Sequence, residues 1–211
     1  MLDKNKRKFS CLALIARNHG LETLRHIING NYQYEIIAVF THKFNPKVYD
    51  SEKKIRTDFQ EFVDTTSKAN IPLYIIDSKD EKIKLEDFAK NNNFDFLISI
   101  SWRYIISPQV FNKALIGSIN LHRGDLPKYA GVEPIKKALE NNEKEIAICS
   151  HIVMENVDEG EILCKAKHPV NYDKNVSLEE NVGRLKNEIT SYFPQLTIKS
   201  LELLSRNYEK K

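Results

Sequence analysis

Short, almost wholly apolar runs alternate along the chain with stretches whose apolar residues recur every three to four positions, and these two periods predict two kinds of element. The runs 9–16 (FSCLALIA), 35–40 (EIIAVF), 72–76 (PLYII), 95–100 (DFLISI) and 117–121 (GSINL) read as strands. Helical stretches fall between them. From Gly20 to Asn29 the stripe is Leu21, Leu24 and Ile28, and from Arg56 to Ala69 it is Phe59, Phe62 and Val63. Strands that are apolar on both faces must be covered on both, which predicts helices on either side of a mostly parallel sheet.

The order changes after Pro134. A short helix (134–140) leads to IAICSHIVM (146–154) and then, past Asp158-Glu159-Gly160, to EILCKAKHPV (161–170), which together read as an antiparallel hairpin. Asn175-Val176-Ser177 caps a long closing helix with the stripe Leu178, Val182, Leu185 and Ile189, and a kink or restart is expected at Pro194. The expected fold is α/β, a doubly wound, mostly parallel Rossmann-like sheet with a C-terminal antiparallel hairpin and a long closing helix, residues 1–211 forming one domain. The Lys-rich stretch Lys43 to Lys54 is expected to be a mobile surface loop.

At 211 residues such a domain buries roughly 70% of the surface its unfolded chain exposes, enough for an ordinary core. With 41% hydrophobic and 29% charged residues the composition is globular, and 32 Lys+Arg against 29 Asp+Glu leave only +3, too little to imply a nucleic-acid partner. Cys11, Cys149 and Cys164 form no CxxC pair, so neither a disulfide framework nor a metal site is indicated, and a reducing cytoplasm is expected. Lys4-Asn5-Lys6-Arg7-Lys8 ahead of Phe9 to Ala16 has the outline of a secretory signal, but the apolar run is short and Arg17-Asn18-His19 follows it, so it is read as the first strand. No apolar stretch reaches the ~18 residues of a membrane span, so no membrane partner is expected.

Chemistry concentrates where the strand Ser118-Ile119-Asn120-Leu121-His122 runs into the loop Arg123-Gly124-Asp125-Leu126-Pro127-Lys128-Tyr129-Ala130-Gly131. Positions two apart in a strand point the same way, so Asn120 and His122 project together while Ile119 and Leu121 face the core. An amide and an imidazolium are both donors, suited to a developing oxyanion at the strand ends where α/β sheets bind ligands. Asp158, in the turn before the last strand, would hold the imidazole protonated and assist proton transfer; the alternative reading is an ordinary turn residue. Tyr32, Tyr34 and Tyr49 are read as scattered surface or packing aromatics rather than base or sugar platforms, and no Walker, GxGxxG or HExxH pattern is present.

The run INLHRGDLPKYAGVEPIKKAL followed by SHIVMENVDEGEIL resembles the folate-dependent formyltransferases, with their Asn-x-His, Leu-Pro-x-Tyr-x-Gly, strand His and Asp-x-Gly motifs in order. The resemblance is detailed over 95–170 and extends in outline over most of the chain. It implies Asn120, His122 and Asp158 as a catalytic triad with His151 beside it. It also implies that SWRYIISPQVF (101–111) lines a pterin pocket, with Trp102, Arg103, Tyr104, Ile105, Ile106 and Val157 at the cofactor, 10-formyltetrahydrofolate. An acceptor amine would attack the formyl carbon.

Two departures bear on the acceptor. Where family members often read His-Pro-Ser-Leu-Leu-Pro, Arg123-Gly124-Asp125 intervenes here, and Arg123 would meet an acceptor phosphate or carboxylate, or stay a solvated loop charge. The first βα turn has Ala16-Arg17-Asn18-His19-Gly20 in place of a glycine-rich phosphate turn, so Arg17 and Asn18, with Gly131, are the expected substrate contacts. The resemblance therefore implies a small-molecule amine acceptor, foremost an amino sugar attached to a nucleotide. Glycinamide ribonucleotide is the alternative, and a folate-binding regulatory protein with little turnover is the non-enzyme reading. The sequence shows neither the added C-terminal domain of tRNA-directed members nor a basic stripe, so no tRNA partner is expected, and a homodimer is the assembly considered.

Overall fold

The computed structural model describes residues 7–46 and 52–210. Lys4 to Lys6, Tyr49 and the middle of the 43–54 loop lie outside the described residues. The chain divides into two compact units, Met1–Ser118 and Ile119–Lys211, and the strands follow the sheet order β3-β2-β1-β4-β5-β6-β7.

In the first unit, β1 (Phe9–Ile15), β2 (Tyr34–Thr41), β3 (Leu73–Ile75) and β4 (Phe94–Ile100) fall where the apolar runs predict. β1 pairs in parallel with β2 and with β4, and β2 with β3. Leu12, Leu14, Ala38, Phe40 and Leu97 on one face pack with Leu85 and Ala89 of α3 (Ile83–Asn91), a helix that the sequence reading did not single out. Residues 13 and 15 of β1 point the other way. On that side α1 (Arg17–Asn29) comes so close that a Cβ on Gly20 would lie 2.9 Å from the Cβ of Ile15. Ile27, one place earlier than the expected Ile28, completes the buried stripe with Leu21 and Leu24.

α2 (Phe59–Lys68) starts at Asp58, whose carboxylate caps nothing because it grips the fully buried Arg56 with Nε–Oδ1 3.0 Å and Nη2–Oδ2 2.8 Å. The short α4 (Pro108–Phe111) leads to β5 (Ala114–His122), whose last four residues open the second unit. Tyr34 is buried between Phe9 and Phe96, and Tyr32 bonds His26, as packing residues do.

In the second unit β5 pairs antiparallel with β6 (Glu145–Ile152), and β6 with β7 (Ile162–Pro169), the expected hairpin. α5 (Pro134–Glu140) precedes it. α6 (Leu178–Glu188) starts at Ser177 with a complete capping box. The helix breaks at the 3-10 turn Ile189–Ser191 and resumes as α7 (Tyr192–Glu209). The break falls ahead of Pro194 rather than at it, because a proline without N–H is accommodated in a first helical turn but clashes with the carbonyl four residues earlier.

Ser200 of α7 bonds Ser150 Oγ at 2.7 Å, so α7 covers the Ser150 face of β6, leaving the Cys149 and His151 face to the 123–131 loop through Leu126 and Ala130. Cys164 opposes Ser150, so Cys149 and Cys164 point to opposite faces, and Cys164 is only partly buried. Among the described residues no helix is long and apolar enough to cross a membrane.

Candidate active site

The antiparallel register of β5 and β6 sets Asn120 directly opposite His151 and His122 opposite Cys149. Directly opposed residues share a face, so Asn120, His122 and His151 project together, while Ile119 and Leu121 are buried on the other side as expected. Asp158 arrives from the loop between β6 and β7 with φ at 61°, in the left-handed region that Asp tolerates better than most residues.

Its carboxylate is fully engaged. Oδ2 accepts from the Gly131 amide at 2.9 Å and lies 3.2 Å from His122 Nδ1, while Oδ1 lies 3.3 Å from His151 Nε2 and 3.5 Å from Asn120 Nδ2. Asn120 Nδ2 is also 3.1 Å from His151 Nε2, and His151 Nδ1 meets the Ile152 carbonyl at 2.9 Å. Burial on its own would raise the Asp158 carboxyl, but the His151 contact, the His122 charge and the Gly131 amide together hold it below the ordinary carboxylate value. Burial pulls His122 below an ordinary histidine, against the opposing pull of Asp158 and of the Tyr129 carbonyl, which lies 2.7 Å from Nε2. Both ring nitrogens of His122 therefore face oxygen acceptors. The Asn120 amide nitrogen and both His122 ring nitrogens thus already have protein partners, an arrangement that strand alternation could not reveal.

Of the expected substrate contacts, Gly131 holds Asp158 through its amide at a φ of 81°. Arg123, next to His122, is partly buried. Val157, beside Asp158, is 59% exposed.

In the first unit Arg17 adopts a φ of 64° and its guanidinium reaches Asn45 at 3.2 Å, while Asn18 is exposed. The first turn of α1 has neither a side-chain cap nor an acidic residue, a terminus suited to anions. The 101–106 segment gathers around a residue that the sequence reading did not foresee. His42 stacks on Trp102 with centroids 4.3 Å apart, meets Tyr104 edge-on, accepts the Arg103 amide at 3.4 Å and donates Nδ1–H to the Ile76 carbonyl. Burial, reinforced by Arg103, pushes its pKa down to about 3. Arg103 bonds the Phe44 carbonyl, Ile106 packs on the core and Ile105 is exposed. Trp102 Nε1 is buried without a hydrogen-bond partner among the described residues. A histidine directly after a strand (Thr41-His42) was the available sequence signal.

Comparisons with known proteins agree with this layout. The family model described as formyl transferase matches residues 14–196. Methionyl-tRNA formyltransferase of Kosmotoga olearia is 28% identical over 184 residues, 87% of this chain and 55% of that protein, so the chain spans about half the length of this relative. Among solved structures, a formyltetrahydrofolate deformylase from Pseudomonas syringae pv. tomato matches with a TM-score of 0.71 at 18% identity, over 93% of this chain and 61% of the other. A phosphoribosylglycinamide formyltransferase from Bacillus halodurans matches at 0.69 and 21%, over 96% and 97%. At these identities the structural likeness shows the fold.

Proposed function

The chain belongs to the formyl transferase family, and from that premise we propose that it moves a formyl group from 10-formyltetrahydrofolate to the primary amine of a small metabolite. The observation that carries this reading is the meeting of Asn120, His122, His151 and Asp158 within 3.5 Å contacts on one face of β5 and β6. A folate donor is supported by the orphaned indole N–H of Trp102, a buried donor calling for an acceptor, and by the adjoining backbone of 103–106.

When bound, that donor supplies an electrophilic formyl carbon on nitrogen. Asn120 would donate to the formyl oxygen as negative charge grows there. The His122 charge would stabilise the same developing charge, and Asp158, held ionised, would sustain His122 and ease the amine's proton toward the departing nitrogen.

For the acceptor we propose a nucleotide-linked amino sugar. Arg17 stands where a glycine-rich phosphate turn would be, and Arg123 adjoins His122, so both cations suit acceptor phosphates. The experiment is release of tetrahydrofolate with a nucleotide-linked amino sugar, with glycinamide ribonucleotide and with no amine. Fastest release with the amino sugar is expected. Preference for glycinamide ribonucleotide would replace the acceptor, and binding of a folate analogue without turnover on any amine would overturn the transferase reading.

A further inference from the structure

Gly124 is two residues past His122, where the sequence departs from the family's usual serine. Its backbone does not call for glycine, since among the described glycines it is Gly131 that has a positive φ. Space does. A Cβ on residue 124 would lie 2.6 Å from the Tyr129 carbonyl oxygen, 2.7 Å from the Pro134 Cβ and 2.8 Å from His122 Nε2. None of these is the loose end of a flexible side chain. Pro134 is buried as the first residue of α5. The Tyr129 carbonyl is anchored by Tyr129 N to the Asp125 carbonyl at 2.8 Å and by Tyr129 Oη to Glu143 at 2.7 Å, and Asp125 is itself paired with Lys165 on β7.

We propose that Gly124 is a positioning residue acting through His122: its missing side chain admits the Tyr129 carbonyl to Nε2, which sets the ring's orientation and decides which nitrogen always carries a hydrogen. This rests on the reading of His122 as catalytic. With Nε2–H committed to Tyr129, the exchangeable proton belongs to Nδ1, the nitrogen facing Asp158. The groups acting on that proton are Asp158 and the Tyr129 carbonyl, which favour the charged ring, and His151 and Arg123, which oppose it. An alanine at 124 would push the carbonyl away, withdraw one of the two favourable contacts and leave the ring free to turn over.

The test is a nitrogen-15 NMR titration of the histidines of the full chain, with His122 assigned by its loss in His122→Gln, together with kinetics of Gly124→Ala. In the wild type, neutral His122 is expected to carry its hydrogen on Nε2. In Gly124→Ala the two tautomers are expected to mix, the titration to move to lower pH, and kcat to fall by ~10²-fold with the donor KM little changed. A wild-type ring protonated on Nδ1 when neutral would overturn the proposal. So would Gly124→Ala with unchanged tautomer and kcat, or with lower kcat and an unchanged titration, which marks a merely structural role. If Gly124→Ala does not fold, Tyr129→Phe, which frees the carbonyl from Glu143, is expected to move the titration in the same direction by less, and no movement counts against the proposal. The titration needs no turnover, so a chain that transfers no formyl group yet shows these shifts would refute the function and keep this inference.

Discussion

His122 and Asp158 meet with Nδ1 and Oδ2 3.2 Å apart, their side chains only 8% and 6% exposed. In so little water the pair interacts more strongly than a surface pair would, and removing one partner strands the other. The oxyanion role assigned to this cluster can be tested one atom group at a time.

Asn120→Ala removes the proposed oxyanion donor while keeping the strand, since Asn120 is only partly buried and its backbone pairing with His151 persists. Turnover should fall by ~10²–10³, and His122→Ala should be similarly impaired, both with far-UV circular dichroism like the wild type. Steady-state formyl transfer at saturating donor is the measurement; wild-type turnover in either variant would remove that residue from the mechanism.

The rate should also depend on pH through His122. Burial lowers its pKa below the ordinary histidine value, so the charged ring is lost, and activity that needs it declines, as pH rises through a value under about 6.5. Asp158 raises that pKa, so Asp158→Asn should move the declining limb further toward acid as well as reducing the maximum. A kcat/KM profile that is flat across this range, or a limb unmoved in Asp158→Asn, would separate the two residues functionally.

His42 makes the first unit sensitive to acid. Its folded pKa of about 3 lies below its ordinary value, so between about 6.5 and that value the unfolded chain binds a proton that the folded chain does not. Stability therefore falls as pH drops through this window, by up to ~1.4 kcal/mol per pH unit from this group. Urea unfolding at stepped pH should show a shallower acid loss for His42→Gln than for the wild type. His122, also lowered, contributes in the same direction and leaves a residual slope. Equal slopes for His42→Gln and wild type would contradict the burial argument.

Arg56 and Asp58 are an all-or-none pair. Arg56 is fully buried, with Asp58 on two of its nitrogens and Thr41 Oγ1 on a third. Asp58→Ala strands the cation and should cost ~3–5 kcal/mol, whereas the double change Arg56→Met with Asp58→Ala should recover part of the loss. Chemical denaturation of both variants decides it; a single variant within ~1 kcal/mol of wild type, the range of solvent-exposed pairs, would mean that water reaches the guanidinium.

What the sequence by itself determined is the local part. Side-chain alternation and helical period are properties of a few consecutive residues, so the seven strands, the Ser177 cap and the shared side of Asn120 and His122 were all legible. Only the tertiary structure decided what the site residues meet. The β5–β6 register put His151 opposite Asn120, a left-handed Asp158 brought its carboxylate to two rings, and a carbonyl from Tyr129 took one nitrogen of the ring that the sequence reading had counted as an oxyanion donor. His42 stayed hidden for the same reason, because its partners Trp102, Tyr104 and Ile76 come from other strand ends. Backbone geometry repeats with a short period that a linear pattern can display, whereas contacts between distant segments depend on register, turn conformation and packing, which leave no period to read.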